Sequence, residues 1–221
     1  TWQFQVSALT KNYSVYIPDL LFFGGSTTDN PDRSPTFQAE TLIKGLTMVG
    51  VEKCAVVGFS YGGMVTFKMA ELCPLLVRAV VVSGSVFAMT ESTSKTALSD
   101  LGLKSSSELL LPTSVNGLKT LLALTTHKKL WLPDRLFKDF LEVMFKNREE
   151  RAELLDALIV RNIEASIPKI SQKIHLLWGE NDNIFKVELA RSMKERLGRN
   201  ATFEGIKKGG HLVHLERPCV Y

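Results

Sequence analysis

The feature that most restricts the fold of this chain is the sequence GFSYG at residues 58–62, a G-x-S-x-G pattern. It follows a short apolar run at residues 53–58 and precedes a segment with a helical period of apolar residues, 64–74. A serine at such a strand-to-helix turn takes a strained backbone conformation, and flanking glycines avoid the clash of a Cβ atom. The pattern therefore predicts that Ser60 exposes its hydroxyl at the amino end of a helix, where backbone N–H groups favour a developing negative charge.

Apolar runs typical of strands alternate with helical segments along much of the chain. This alternation predicts a mostly parallel sheet with helices on both faces, an α/β fold. The predicted strands are residues 12–19, 53–58, 78–83, 173–179 and 201–206, and the predicted helices are residues 36–50, 64–74 and 186–198.

Residues 88–167 depart from this alternation. They contain polar Ser/Thr stretches and helical segments, and no convincing strand. We interpret them as a helical cap inserted into an α/β core that is formed by residues 1–87 and 168–221.

A serine hydroxyl becomes a good nucleophile only when a base removes its proton, and that base needs a carboxylate to orient it. In hydrolases with this turn the chain order is Ser, then Asp or Glu, then His. Here Glu180 and Asp182 follow one predicted strand, and His211 and His214 follow the last one. The spacing alone does not decide which of the two carboxylates and which of the two histidines would act with the serine.

The other two histidines, His127 and His175, lie in a predicted cap helix and a predicted strand. Both are interpreted as ordinary solvated or buried side chains. No Cys/His spacing is typical of a metal site, so we expect neither a metal nor a cofactor.

Together the three motifs resemble the α/β-hydrolase superfamily of lipases, esterases and epoxide-hydrolase-like proteins. The segments PDLLFFGGS, GFSYGGMV, LLWGENDNIF and GGHLVHLERP are most similar to plant serine hydrolases of the monoacylglycerol-lipase-like or carboxylesterase-like type. The resemblance implies that Ser60 is the nucleophile, Asp182 the orienting acid and His211 the general base. It leaves Glu180 outside the triad and gives His214 a capping or packing role.

The family also implies two N–H donors for an oxyanion hole. One is the backbone N–H of Tyr61, and the other follows a His-Gly pair after an early strand. That pair is not in this sequence, so we expect it and the first strands of the fold to lie upstream of Thr1. The nucleophilic aspartate of true epoxide hydrolases is excluded because position 60 is a serine.

The resemblance implies hydrolysis of a small-molecule carboxylic ester, such as an apolar acyl ester or a monoacylglycerol, through an acyl-enzyme. Two alternatives stay open. One is a carbon-carbon bond hydrolase that uses the same triad, and the other is a receptor of this fold that retains the triad but mainly senses a ligand.

Composition restricts the partners and the compartment. The 27 Lys and Arg against 23 Asp and Glu give a net charge of only +4 without a basic stripe, which argues against a nucleic-acid partner. Three cysteines, an odd number, favour a reducing compartment. Without a leader or an apolar run of about 20 residues, we expect a soluble cytoplasmic protein. Its oligomeric state is left open.

The predicted cap contains basic and aromatic residues in alternation between residues 128 and 151, a pattern that also suits weak contact with a membrane surface. Helical spacing places Leu136, Phe140, Val143 and Met144 on one apolar face. We expect this face to cover the serine and to make the substrate pocket apolar.

Overall fold

A computed structural model describes residues 1–90, 105–160 and 169–221 of the chain. Its centre is a sheet of four parallel strands in the order β1-β2-β5-β6. These strands are β1 (Cys54–Phe59), β2 (Val77–Ser83), β5 (Lys173–Gly179) and β6 (Ala201–Ile206). The predicted α/β fold with a parallel sheet is confirmed.

Helices in the described residues connect and flank these strands. They are α1 (Gln3–Leu9), α2 (Pro35–Met48), α3 (Tyr61–Leu72), α4 (Ser106–Leu110), α5 (Val115–Thr125), α6 (Asp134–Met144), α7 (Arg148–Asp156), α8 (Val187–Leu197) and α9 (Val213–Glu216), with a short 3-10 turn at Gly198–Asn200.

The two central strands, β2 and β5, are largely buried, whereas the edge strands β1 and β6 are partly exposed. Val80 and Val82 of β2 and Leu176 of β5 are almost completely buried, as expected where helices cover a parallel sheet. Trp178 is also fully buried, and its indole N–H donates to the Phe185 carbonyl oxygen at 2.7 Å. This bond ties the loop after β5 to the core.

A buried glutamine, Gln38 on α2, fixes the loop at residues 20–23. The Gln38 side chain on α2 accepts a hydrogen bond from Leu21 N–H at 2.9 Å and donates to the Leu21 carbonyl at 3.1 Å. Ser34 caps the same helix by accepting from Phe37 N–H at 3.1 Å. The loop at residues 20–23 is thereby held against α2.

The strand predicted at residues 12–19 is wrong. Tyr13, Tyr16 and Ile17 are exposed, and no other described segment pairs with this backbone. The β-branched and aromatic composition does favour an extended chain, but a strand also requires a pairing partner, which composition does not supply.

The prediction of no strand within residues 88–167 is also wrong at two short places. Strand β3 (Met89–Thr90) pairs in parallel with β4 (Ile159–Val160), so the start and the end of this segment meet. Between them, helices α4 to α7 contribute to a separate apolar cluster of Leu109, Leu111, Leu118, Leu121, Phe137 and Phe145. The exact domain boundaries stay a prediction.

The approach of α3 to β1 provides a test of the fold. A Cβ atom at Gly58 would overlap the Thr66 hydroxyl and lie 2.5 Å from the Gly62 carbonyl oxygen, whereas a Cβ at Gly45 in α2 would meet nothing. We expect Gly58→Ala to lower the free energy of unfolding by about 1 to 3 kcal/mol through overpacking. We expect Gly45→Ala to raise it by up to about 1 kcal/mol because alanine favours a helix. Urea unfolding measures both, and equal effects would contradict the close approach.

Candidate active site

Ser60 lies in a sharp turn between β1 and α3. Its φ of 52° and ψ of −122° are outside the regions that residues with a side chain normally occupy. Two hydrogen bonds hold this backbone: Ser60 N–H donates to the Ser83 carbonyl at 2.9 Å, and Gly63 N–H donates to the Ser60 carbonyl at 2.9 Å. The strained strand-to-helix turn is therefore present as the G-x-S-x-G pattern predicts.

The hydroxyl of this serine is part of a chain of hydrogen bonds with a histidine and a carboxylate. His211 Nε2 lies 3.1 Å from Ser60 Oγ, and His211 Nδ1 lies 2.8 Å from Asp182 Oδ2. Asp182 and His211 are both buried. The three residues follow β1, β5 and β6, so the carboxyl ends of three parallel strands bring them together. This is the arrangement that base-assisted activation of a serine requires.

The Asp182 carboxylate is oriented by the backbone of its own loop. Its second oxygen, Oδ1, accepts hydrogen bonds from Ile184 N–H at 2.8 Å and Phe185 N–H at 2.9 Å. Because Oδ1 is occupied in this way, Oδ2 points to the His211 ring. Glu180, the other carboxylate of this loop, is exposed and lies against Gly205 of β6.

The His211 ring occupies a narrow space. It contacts the Phe59 ring at a centroid distance of 4.8 Å and the Phe185 ring at 5.9 Å. Gly84, just after β2, has a φ of +53°, and a Cβ atom there would lie 2.9 Å from His211 Nδ1. A side chain at this position would displace the His211 ring, yet the sequence carries no motif that marks Gly84.

One carboxylate, Glu216, joins the His211 loop to the loop after α5. Its Oε2 accepts from Gly210 N–H at 2.7 Å, and its Oε1 accepts from His127 N–H at 2.8 Å and Lys128 N–H at 3.0 Å. In addition, Leu212 N–H donates to the Thr125 carbonyl at 2.9 Å. Gly210 and Leu212, on either side of His211, are thus fixed to a segment more than eighty positions earlier.

The remaining histidines lie away from the serine hydroxyl. His214 is fully buried and packs against Phe59 at a centroid distance of 4.4 Å. His175 on β5 shares a 2.8 Å hydrogen bond with Thr202 on β6. His127 is exposed in the loop after α5, so its predicted place in a helix is wrong. The helix ends at Thr125 because the backbone of Thr126, the residue that follows, is extended (φ −115°, ψ 143°).

The first residue of α3, Tyr61, provides a backbone N–H donor next to Ser60. Tyr61 is at position N1, where no earlier carbonyl of the helix is available to its N–H. Its ring packs against Phe23 at a centroid distance of 5.8 Å, and burial raises the pKa of its hydroxyl. The Tyr61 side chain thus packs against the apolar cluster of Leu21, Phe22 and Leu154.

The apolar face of α6 does not cover the serine as expected. Leu136, Phe140, Val143 and Met144 are 42 to 66% exposed, and they line an open groove of about 570 Å³ whose lining residues do not include Ser60. The side chain that turns inward is Phe137, which is buried. The helix is rotated toward the α5 cluster because Phe137 fits there.

The described residues contain no cluster of three or more His, Cys, Asp or Glu side chains that could hold a metal ion. In the same part of the chain, no helix is both long and apolar enough to span a bilayer.

Comparison with known proteins agrees with this geometry. The sequence profile described as "Alpha/beta hydrolase family" matches residues 1–221, so the chain belongs to the α/β-hydrolase family. It is 23% identical to RutD of Pseudomonas savastanoi pv. phaseolicola, whose name describes a carbamate hydrolase, over 100% of this chain and 85% of that protein.

Two solved structures are similar in fold. The meta-cleavage product hydrolase CumD of Pseudomonas fluorescens IP01 matches 99% of this chain and 80% of its own with a TM-score of 0.80 and 20% identity. An esterase of Exiguobacterium antarcticum matches 99% of this chain and 82% of its own with a TM-score of 0.77 and 18% identity.

The Glu216 contacts lead to a first prediction for the site. Glu216→Ala would leave three backbone N–H groups without their acceptor. We therefore expect thermal unfolding to show a free energy of unfolding that is lower by on the order of 2 kcal/mol. Glu216→Gln, which retains one acceptor oxygen, should lose less. Glu52→Ala, an exposed carboxylate before β1, serves as the control and should change little. Equal stability of Glu216→Ala and the wild type would contradict the role of this carboxylate.

The buried His214 leads to a second prediction. Burial lowers its pKa from the ordinary value of 6.5 to about 3, and the neighbouring His211 adds to the effect. Between these two values the unfolded chain binds a proton at this position that the folded chain does not. The contribution of neutral His214 to the free energy of unfolding is therefore full above about pH 6.5 and is lost as the pH falls toward 3.

We expect the wild-type free energy of unfolding to fall more steeply between about pH 7 and pH 5 than that of His214→Phe, by up to about 1.4 kcal/mol per pH unit. Urea unfolding at several pH values measures the two slopes. His127→Gln changes an exposed histidine and should keep the wild-type slope. Parallel slopes for wild type and His214→Phe would show that His214 binds its proton equally well in both states.

Proposed function

We propose that this α/β-hydrolase cleaves carboxylic esters with apolar acyl groups, monoacylglycerols among them, through a covalent acyl-enzyme. The observation that carries the proposal is the hydrogen-bonded chain from Ser60 Oγ through the His211 ring to Asp182 Oδ2. A serine in this arrangement loses its proton to the histidine as it attacks a carbonyl carbon.

In the proposed reaction, Ser60 Oγ forms a bond to the ester carbonyl carbon while His211 Nε2 takes the hydroxyl proton. Asp182 stabilises the charged imidazole, and the Tyr61 N–H donates to the oxygen that becomes negative. His211 then returns the proton to the leaving alcohol as the ester bond breaks. Water, activated by the same histidine, attacks the acyl-enzyme and releases the acid.

The substrate class rests on the side chains around the nucleophile. Phe59 and Phe185 contact the base, and Tyr61 and Phe23 pack together beside the turn. Apolar and aromatic surfaces of this kind favour an apolar acyl group over a charged one. The fold similarity to an esterase adds support of a general kind.

A carbon-carbon bond hydrolase is the second candidate, favoured by the fold similarity to the meta-cleavage product hydrolase. Both reactions need a base-assisted serine, so the triad alone does not separate them. A diketone substrate that is consumed faster than any ester would favour this candidate. A single slow turnover with esters and diketones alike would favour the ligand-sensing receptor.

The proposal predicts how substitutions change the hydrolysis of p-nitrophenyl butyrate. We expect Ser60→Ala, Asp182→Asn and His211→Ala each to lower kcat/KM by about 10³-fold or more, because each removes one part of the activated nucleophile. Glu180→Gln replaces the neighbouring exposed carboxylate and should retain nearly full activity. Comparable losses for Glu180→Gln and Asp182→Asn would contradict the assigned acid.

The same assay extended to longer acyl chains tests the substrate class. Each methylene that becomes buried adds up to ~0.8 kcal/mol to binding in the transition state, so kcat/KM should rise with chain length before it levels off. A profile that is highest with acetate and falls steadily would exclude an apolar acyl pocket.

A further inference from the structure

A large apolar surface lies on α6 and the loop before it. Among the described residues, eighteen large hydrophobic side chains are exposed, and seven of them fall between residues 130 and 144, so they form a cluster. We call this cluster the α6 face; it consists of Leu130, Trp131, Leu132, Leu136, Phe140, Val143 and Met144. Soluble proteins seldom leave such clusters open unless they bind a partner or a membrane.

The members of the α6 face form one continuous surface. All of them except Trp131 line the same groove of about 570 Å³, which continues to Leu212 and Leu215. Trp131 lies outside the groove lining and is 87% exposed, more than any other member of the face. Because Leu212 directly follows His211, one end of the surface reaches the loop that holds the proposed base.

The α6 face is not required to hold its helix in place. Phe137, which lies beside this face on α6, is buried against α5. Lys119 on α5 and Asp134 at the start of α6 form an ion pair of 2.7 Å, and the Lys119 ammonium lies 5.3 Å from the Phe137 ring. The helix is therefore anchored without the exposed apolar residues, and these must have another use.

The charges around the α6 face indicate what it binds. Exposed basic side chains precede the face in the chain at Lys128 and Lys129, and others follow on α6 and just after it at Arg135, Lys138 and Lys146; none of them has an ion-pair partner among the described residues. The acidic residues are fewer: Asp134 is paired with Lys119, Glu142 is exposed, and Asp139 lines the groove together with Glu216. Residues 128–146, which carry the α6 face, thus have a net positive charge, with five basic against three acidic side chains.

We propose that the α6 face docks on the surface of an anionic phospholipid bilayer. Apolar side chains on one side of a helix, flanked by lysine and arginine, insert at the boundary between head groups and acyl chains. Tryptophan prefers this boundary because its ring is apolar and its N–H is polar. A second copy of this chain is a less suitable partner, since the same positively charged stretch on that copy would repel this one. The inference rests on the surface alone and does not depend on the proposed reaction.

The test uses the full chain with two kinds of vesicle, phosphatidylcholine alone and phosphatidylcholine mixed with phosphatidylserine. Binding is measured by co-sedimentation and by the emission of tryptophan, which shifts to shorter wavelength when an exposed indole enters the bilayer. Trp131 is the most suitable reporter because Trp178 is fully buried and Trp2 packs against His214 and Tyr221, away from the α6 face. We expect binding to the anionic vesicles, weaker binding at high salt, and little binding to the neutral ones.

Matched variants identify the surface. Trp131→Ser combined with Leu132→Ser should remove the emission shift and lower vesicle binding at least tenfold. Leu75→Ser, at a residue that is 77% exposed before β2, should bind as the wild type does. The double change Lys128→Glu and Lys129→Glu should lower binding to anionic vesicles roughly tenfold. Equal melting temperatures check that all variants are folded.

Two results would overturn the proposal. One is vesicle binding that is unchanged in the Trp131 and Leu132 variant. The other is a concentration-dependent dimer without lipid that the same variant abolishes, because the α6 face would then bind a second copy. Hydrolysis of a soluble ester, measured in parallel, shows separately whether the proposed reaction holds.

Discussion

The close approach of α3 to β1 at Gly58 is the constraint on which the rest of the site depends. It permits the positive φ of Ser60, a strained backbone conformation that costs about 1 to 3 kcal/mol and therefore needs support from its surroundings. That support comes from the Ser83 carbonyl at the end of β2 and from the first turn of α3. The serine is thus positioned by the sheet itself, and the loops only have to bring the other two groups to it.

Those two groups are oriented mainly by backbone atoms. Asp182 is held by two N–H groups of its own loop, and Gly210, next to His211, is held by Glu216. Main-chain donors occupy fixed positions once the fold has formed, so the carboxylate and the ring are in place before any ligand binds. This preorganisation is what makes electrostatic stabilisation effective in a site that excludes water.

The sequence predicted those parts of the site whose geometry is local. A strand, a tight turn and a helix are adjacent in the chain at Ser60, so a short motif describes them well. Contacts between distant segments could not be predicted in the same way. The composition of residues 12–19 favours an extended chain but does not supply a partner, and nothing near Gly84 or Glu216 indicates what they meet across the fold. Which face of α6 is buried likewise depends on where the Phe137 side chain packs in the apolar cluster with α5.

The bonds of Glu216 have a consequence for how the chain can vary. Its partners at positions 127 and 128 are main-chain N–H groups, so these bonds place no requirement on the side chains there. Proline is the exception, because it has no N–H to donate. A chimaera that exchanges the helices around α5 and α6 for those of another family member would need no particular residue at this junction. It would need only an acceptor at position 216 and a backbone that turns its amides toward it.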